Sequence, residues 1–170
     1  VVGTTVDTTI EAINTWIDDT NLLHADKRRS CAHLFEEFKY FYTKPFLEKT
    51  YFVVLDELPK PDFPELRALG FSSFIDMPAN GITYKDTYYI LPHILEVKRV
   101  HFHELVHVLQ WSFLGAKNFI SRYMLEIINF GYENAPLEKM AYALDARYSA
   151  GGEPLDIECF VQAHLQSEGD

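Results

Sequence analysis

Apolar positions in the first part of the chain recur at helical spacing. Ile10, Ile13 and Ile17 stand three or four positions apart with Trp16 beside them, and from about Lys27 to Tyr42 the residues Leu34, Phe35, Phe38 and Phe41-Tyr42 share one broad face. Both patterns predict helices, so residues 1–45 read as a helical N-terminal part. The texture then changes. Tyr51-Phe-Val-Val-Leu55 is a β-branched and aromatic run that ends before Pro59 and Pro61, which predicts a buried strand, and Phe71 to Met77 reads as another. Gly81 to Ile90 alternates around a Lys85-Asp86 pair, the pattern of two strand arms and a tight turn. Residues 46–92 are therefore expected to hold a small, mostly antiparallel sheet of three or four strands.

After Pro92 the helical period returns. Phe102, Val106, Leu109 and Phe113 fall at i, i+4, i+7 and i+11, Leu105 and Val108 widen the apolar surface, and Gly115 offers a stop, so this helix should be largely buried. A second helix is expected over about Lys117 to Phe130, ending near Gly131, and a third from Pro136, which suits a first helical turn. Residues 151–170 read as a polar tail, frayed from Gln166 onward. Residues 1–170 are thus expected to form a single compact α+β domain, with helices, a small sheet, and then two helices over 93–150 that carry the chemistry.

Composition supports a packed core: 48% of the residues are hydrophobic and 15% aromatic, well above the range in which chains stay disordered. A net charge of −10 and a pI near 5.1, with no basic run longer than Lys27-Arg28-Arg29, argue against a nucleic-acid partner. Cys31 and Cys159 are too few and too far apart for a disulfide framework and read as buried free thiols. No stretch approaches the roughly 20 apolar residues of a membrane span. Val1-Val2-Gly3-Thr4-Thr5 carries neither a charged leader nor an apolar signal core. A soluble protein is expected, cytoplasmic by default, although a removed leader would leave no trace.

The candidate chemistry lies on the first helix after the sheet. His103-Glu104-Leu105-Val106-His107 is an H-E-x-x-H motif. On a helix its two histidines stand one turn apart, about 6 Å at their bases, so both imidazoles can reach one ion. Glu104 lies about 100° round the helix from His103 and about 60° from His107. It borders the same face without ligating, where a general base must stand. Imidazole and carboxylate ligands suit Zn2+, and a catalytic zinc takes three protein ligands and leaves a fourth position for water. Two histidines on a buried helix can also be a satisfied polar cluster. His101 lies about 200° from His103 and faces away, with a capping or surface role expected, while His24, His33, His93 and His164 lack local ligand partners.

The third ligand is sought downstream among Glu126, Glu133 and Glu138. Glu138 is preferred because it falls in the first turn of the helix opened by Asn134-Ala135-Pro136, with Met140, Ala141 and Leu144 apolar behind it. Glu126, 19 positions after His107, is the main rival, and otherwise reads as an exposed helical carboxylate. Tyr132 and Tyr142 could stabilise an oxyanion through their hydroxyls, or simply pack. Tyr88-Tyr89-Ile90 reads either as an exposed edge able to align a peptide or as an interior strand.

The stretch His103-Glu-Leu-Val-His-Val-Leu-Gln110, followed by Tyr132-x-Asn134-x-Pro136-Leu-Glu138-x-x-Ala141-Tyr142, resembles the minimal gluzincin metallopeptidases. In that family an active-site helix is followed by a glutamate helix. Gly81 to Ile90 is similar to the hairpin that precedes the active-site helix there, and the likeness covers about residues 80–148. It implies a zincin-like fold and a hydrolase acting on a peptide or protein substrate. The zinc would be bound by His103, His107 and Glu138, and Glu104 would be the general base and acid. Larger gluzincins often carry an acid a few positions beyond the ligand glutamate to orient a zinc histidine. Here position 142 is Tyr and the nearest acid is Asp145.

Overall fold

The computed structural model describes residues 2–167, with side-chain surroundings from Val6 onward. Val1 and the last three residues of the expected tail lie outside the described residues. Helix α1 (Val2–Leu23) buries Ile10, Ile13 and Ile17, the periodic face of the sequence. The second expected helix, over residues 27–42, is broken instead. Arg29 and Ser30 form a short strand, β1 (Arg29–Ser30), and a 3-10 turn (Cys31–Leu34) runs into the single-turn helix α2 (Phe35–Phe38). The cause lies at Ser30. It is extended, its hydroxyl accepts from the Ala32 N–H at 3.2 Å and donates to Glu48 O at 3.0 Å, and Cys31 N donates to Thr50 O at 2.8 Å. A serine that caps the 3-10 turn after it cannot also continue a helix from before it. The apolar face survives the break, because Leu34, Phe38 and Tyr42 are buried. After α3 (Lys44–Glu48), β2 (Tyr51–Val54) forms as its β-branched run predicts.

The crossover from β2 carries two short helices, α4 (Pro64–Ala68) and α5 (Ser72–Asp76). The second replaces the strand expected at Phe71 to Met77. Phe71 and Ile75, four positions apart, are the buried pair of that run, and the Lys60 ammonium donates to the carbonyls of Phe74, Ile75 and Met77. Those carbonyls at the helix end would otherwise lack partners, and so short an apolar run does not reveal its period. Then β3 (Gly81–Tyr84) and β4 (Thr87–Ile90) form the expected hairpin. The sheet order is β1-β2-β4-β3, with β2 parallel to β4 and the other two pairs antiparallel. Tyr88 to Ile90 therefore lie in an interior strand, with all of β4 buried, and β3 is one of the two edges.

Helix α6 (Lys98–Leu114) is the axis of the domain. Every residue from His101 to Trp111 is buried, and the helix touches β3, β4, α7 (Ala116–Phe130), α8 (Pro136–Ser149) and α9 (Ile157–Ser167). Gly115 and Gly131, at φ +80° and +77°, stop α6 and α7, in conformations that favour glycine. The architecture is α+β, and among the described residues no helix is long and apolar enough to cross a membrane.

The segment expected to be a tail is part of the core. Helix α9 buries Ile157, Val161 and Leu165 and packs on α6, and Ile157 N donates to Phe41 O at 3.1 Å. Of the two thiols, Cys31 is buried and Cys159 is exposed, the latter contrary to expectation. Ile157→Ala is expected to lower the unfolding free energy by about 2–5 kcal/mol, read as a lower urea midpoint at unchanged slope. A change within about 0.5 kcal/mol would mean that the segment is not packed.

Candidate metal centre

Helix α6 projects His103 and His107 from adjacent turns toward the start of α8, where Pro136 opens the helix and Glu138 sits in its first turn. The three side chains are buried, at 7%, 5% and 3% exposure. His103 Nε2 and His107 Nε2 are each 3.1 Å from Glu138 Oε1 and 3.1 Å from each other. Among the described residues, this is the one group of three or more His, Cys, Asp or Glu side chains whose donor atoms could hold a metal ion.

The surroundings fix which ring nitrogens face inward. His103 Nδ1 lies 2.8 Å from Asp145 Oδ2, and His107 Nδ1 lies 2.7 Å from Gln110 Oε1. A carboxylate and an amide oxygen can only accept, so both Nδ1 atoms carry hydrogen and both Nε2 lone pairs point at the Glu138 carboxylate. Three acceptors 3.1 Å apart repel unless a proton or a cation sits among them. A tetrahedral ion with bonds of about 2.0–2.1 Å holds its donors about 3.3 Å apart, close to the spacing observed. The donor set therefore fits a divalent ion such as zinc.

Electrostatics point the same way. Burial pushes the Glu138 pKa up, but the two histidines outweigh it and hold this carboxyl well below the usual range. Burial likewise opposes charge on His103 and His107, yet Asp145 and Glu138 raise the first, and Glu138 chiefly raises the second, above the ordinary histidine value. The Glu138 and His107 shifts express a demand for positive charge in the centre of the cluster, while that of His103 comes first from Asp145 at its outer nitrogen.

The supporting contacts come from four elements, α6, α7, α8 and β3. Asp145, two turns beyond Glu138 on α8, accepts from Arg99 Nε at 2.6 Å as well as from His103, and so supplies the orienting carboxylate that Tyr142 cannot. Gln110, on α6 itself, passes its own amide hydrogens on to Leu137 O at 3.0 Å, tying that helix to the turn that presents Glu138. Tyr123 of α7 donates to Glu138 Oε2 at 2.7 Å. Thr83 of β3 donates to Glu104 Oε2 at 2.6 Å. Gly81, at the start of β3, lies so near that a Cβ there would stand 2.8 Å from Glu104 Oε1. Gln110, Tyr123, Thr83 and Gly81 were not singled out in the sequence. Only Gln110, three positions after His107 on one helix, had a spacing signal.

Glu126 is not in the cluster, and it is not exposed either. At 7% exposure its Oε1 accepts from Leu137 N at 2.8 Å and its Oε2 from Arg122 Nε at 3.0 Å, so it caps the start of α8. Glu133 is exposed. Tyr132 and Tyr142 are both at the site: their hydroxyls are 3.0 Å apart, and the Tyr142 ring lies 4.4 Å from that of His103. His101 faces away as its helical angle requires, but it is fully buried rather than capping or superficial. Its Nε2–H donates to Leu95 O at 2.9 Å and its Nδ1 accepts from the Tyr88 hydroxyl at 2.6 Å, which in turn accepts from the Cys31 thiol at 3.4 Å. Burial pushes that thiol up to about 12.

Glu104 borders two spaces. One is an open cleft of about 340 Å³ shared with Asn80, Gly81, Arg99, His103 and Tyr142, and the other is a smaller apolar cavity shared with His107 and Glu138. Burial raises the Glu104 pKa, and His103 and His107 partly offset this. Comparison with protein-family models, with curated proteins and with solved structures returns no match, so a functional reading rests on this geometry. Asp145→Asn is expected to weaken the binding of a divalent metal about 10–100-fold, measured by competition with a chelator of known affinity.

Proposed function

We propose that the protein is a zinc-dependent peptidase of the gluzincin type, with His103, His107 and Glu138 as ligands and Glu104 as general base. The observation that carries this reading is the convergence of two tautomer-fixed imidazoles and one ionised carboxylate on a single point, with a further acidic group held beside them. Zinc bound there would acidify a water molecule and polarise a peptide carbonyl.

Glu104 supplies the proton transfers. Thr83 holds one of its oxygens at 2.6 Å, and the other stays beside Gly81 at the rim of the open cleft. There it takes a proton from the attacking water and returns it to the departing amine. Tyr132 and Tyr142 line the same cleft, and their hydroxyls can donate to a developing oxyanion. Because β3 is an edge of the sheet and begins at Gly81, a substrate backbone can be aligned by strand addition next to Glu104.

Elemental mass spectrometry of protein purified without added metal is expected to give about one zinc per chain. Zinc should be lost in Glu138→Ala and kept in Glu126→Ala. Cleavage of an unfolded protein substrate should fall about 10²–10⁴-fold in Glu104→Gln with zinc retained. No zinc even after reconstitution would end the proposal, and zinc without cleavage would leave a non-catalytic zinc module. Gly81→Ala, which drives a methyl group against the Glu104 carboxylate, is expected to reduce cleavage about 10²-fold at unchanged zinc content.

A further inference from the structure

Arg99 stands in the first turn of α6, four residues before His103. Residues at that spacing share one face of a helix, and both side chains line the open cleft of about 340 Å³ beside Glu104. Arg99 Nε donates to Asp145 Oδ1 at 2.6 Å, and the other oxygen of Asp145 lies 2.8 Å from His103 Nδ1. Asp145 is buried, but the Arg99 side chain is 52% exposed. Its two terminal nitrogens, Nη1 and Nη2, have no hydrogen-bond partner among the described residues. Arg67 shows the contrast, since its Nε, Nη1 and Nη2 are all taken up by Asp62 and Asp76. The other charged groups in the cleft wall are committed: Glu104 accepts from Thr83, and His103 is held between Asp145 and Glu138. The cleft therefore presents one oriented fork of N–H donors with nothing bound to it.

We infer that the Arg99 guanidinium receives a carboxylate of the substrate, from an acidic side chain or a free C-terminus, and that the cleft selects peptides negatively charged close to the scissile bond. The inference rests on the peptidase reading and adds the substrate class to it. A planar guanidinium offers parallel N–H groups to the two oxygens of a carboxylate, and such charge-assisted pairs are about twice as strong as neutral hydrogen bonds. Asp145 holds Nε and so limits how the plane can turn, which leaves less freedom to lose when the carboxylate arrives. An amide in the same place keeps one acceptor and turns a donor toward a group that can only donate. The contacts also bound the position. The path from His103 to the guanidinium is two hydrogen bonds long, through Asp145, a span that an extended peptide covers in about three residues at about 3.3–3.6 Å each.

The test uses the full chain loaded with zinc and two kinds of matched peptide pair. In one, Asp or Asn is placed at each position in turn of a C-terminally amidated neutral sequence; in the other, a neutral sequence ends in a free carboxylate or an amide. The charged member should be cut about 10-fold faster, and the pair that shows the difference tells whether a side chain or the C-terminus supplies the carboxylate. Arg99→Gln should bring the two rates together, and Arg99→Lys, which keeps the charge without the fork, should lose most of the difference. The ratio separates substrate recognition from support of Asp145, because a loosened His103 slows charged and neutral peptides alike. Without turnover, the Arg99 Nε–H NMR signal of zinc-loaded Glu104→Gln should shift with the charged peptide and not with its neutral match, whether or not the Arg99 variants fold. Equal cutting within both kinds of pair, or a preference kept in folded Arg99→Gln, overturns the inference and leaves the peptidase. A shifted Arg99 signal without cleavage of any peptide upholds the carboxylate contact and overturns the peptidase reading. An unshifted signal overturns the carboxylate contact outright.

Discussion

The structure is organised around the cost of keeping two imidazoles and three carboxylates out of water on one side of a buried helix. An isolated ionised group in such a place would neutralise or disrupt the fold. Here each group has partners: His103 has Asp145, His107 has Gln110, Glu138 has both imidazoles and Tyr123, Glu104 has Thr83, and Asp145 has Arg99. Removing any one takes a contact from a buried neighbour, so the cluster constrains its surroundings as a unit.

That requirement explains why the rest of the domain is arranged as it is. Helix α6 is buried over eleven consecutive residues, His101 to Trp111, which an amphipathic helix on a surface would not be. Four of the elements that cover it are the β3–β4 hairpin, α7, α8 and α9, and three of them also contribute to the site. The hairpin brings Gly81 and Thr83 to Glu104, α7 brings Tyr123 to Glu138 and Glu126 to the start of α8, and α8 carries both Glu138 and Asp145. The fourth, α9, adds packing alone, through Ile157, Val161 and Leu165.

How much could be read from the chain depends on how local each signal is. The two histidines and Glu104 lie within one turn and a half of helix, the stops at Gly115 and Gly131 are single-residue backbone demands, and Pro136 marks a helix start, so α6, α7, α8 and the place of Glu138 in the first turn of α8 could be read directly. The errors fall where a tertiary contact decides a short run. Ser30 breaks the expected helix because Glu48 and Thr50 are there to bond it, α5 replaces a strand because Lys60 reaches its carbonyls, and the supposed tail folds because α6 offers a surface to its three apolar residues. Glu126 could be read neither as exposed nor as a ligand, since its role depends on Leu137 N arriving from another helix.

The two acidic groups facing the histidines are placed so that they cannot share a role. Glu138 has two imidazole nitrogens 3.1 Å from one oxygen and the Tyr123 hydroxyl donating to the other, and its carboxyl is held well below the usual range. Glu104 has the Thr83 hydroxyl on one oxygen, and burial raises its pKa. A carboxylate kept ionised at the point where the imidazoles converge is suited to hold a cation. One raised by burial at the rim of a cleft is suited to gain and lose a proton. Paired carboxyls whose environments push them apart in this way suit different work, and in this chain the difference comes from the two imidazoles that converge on Glu138 and from the burial of Glu104.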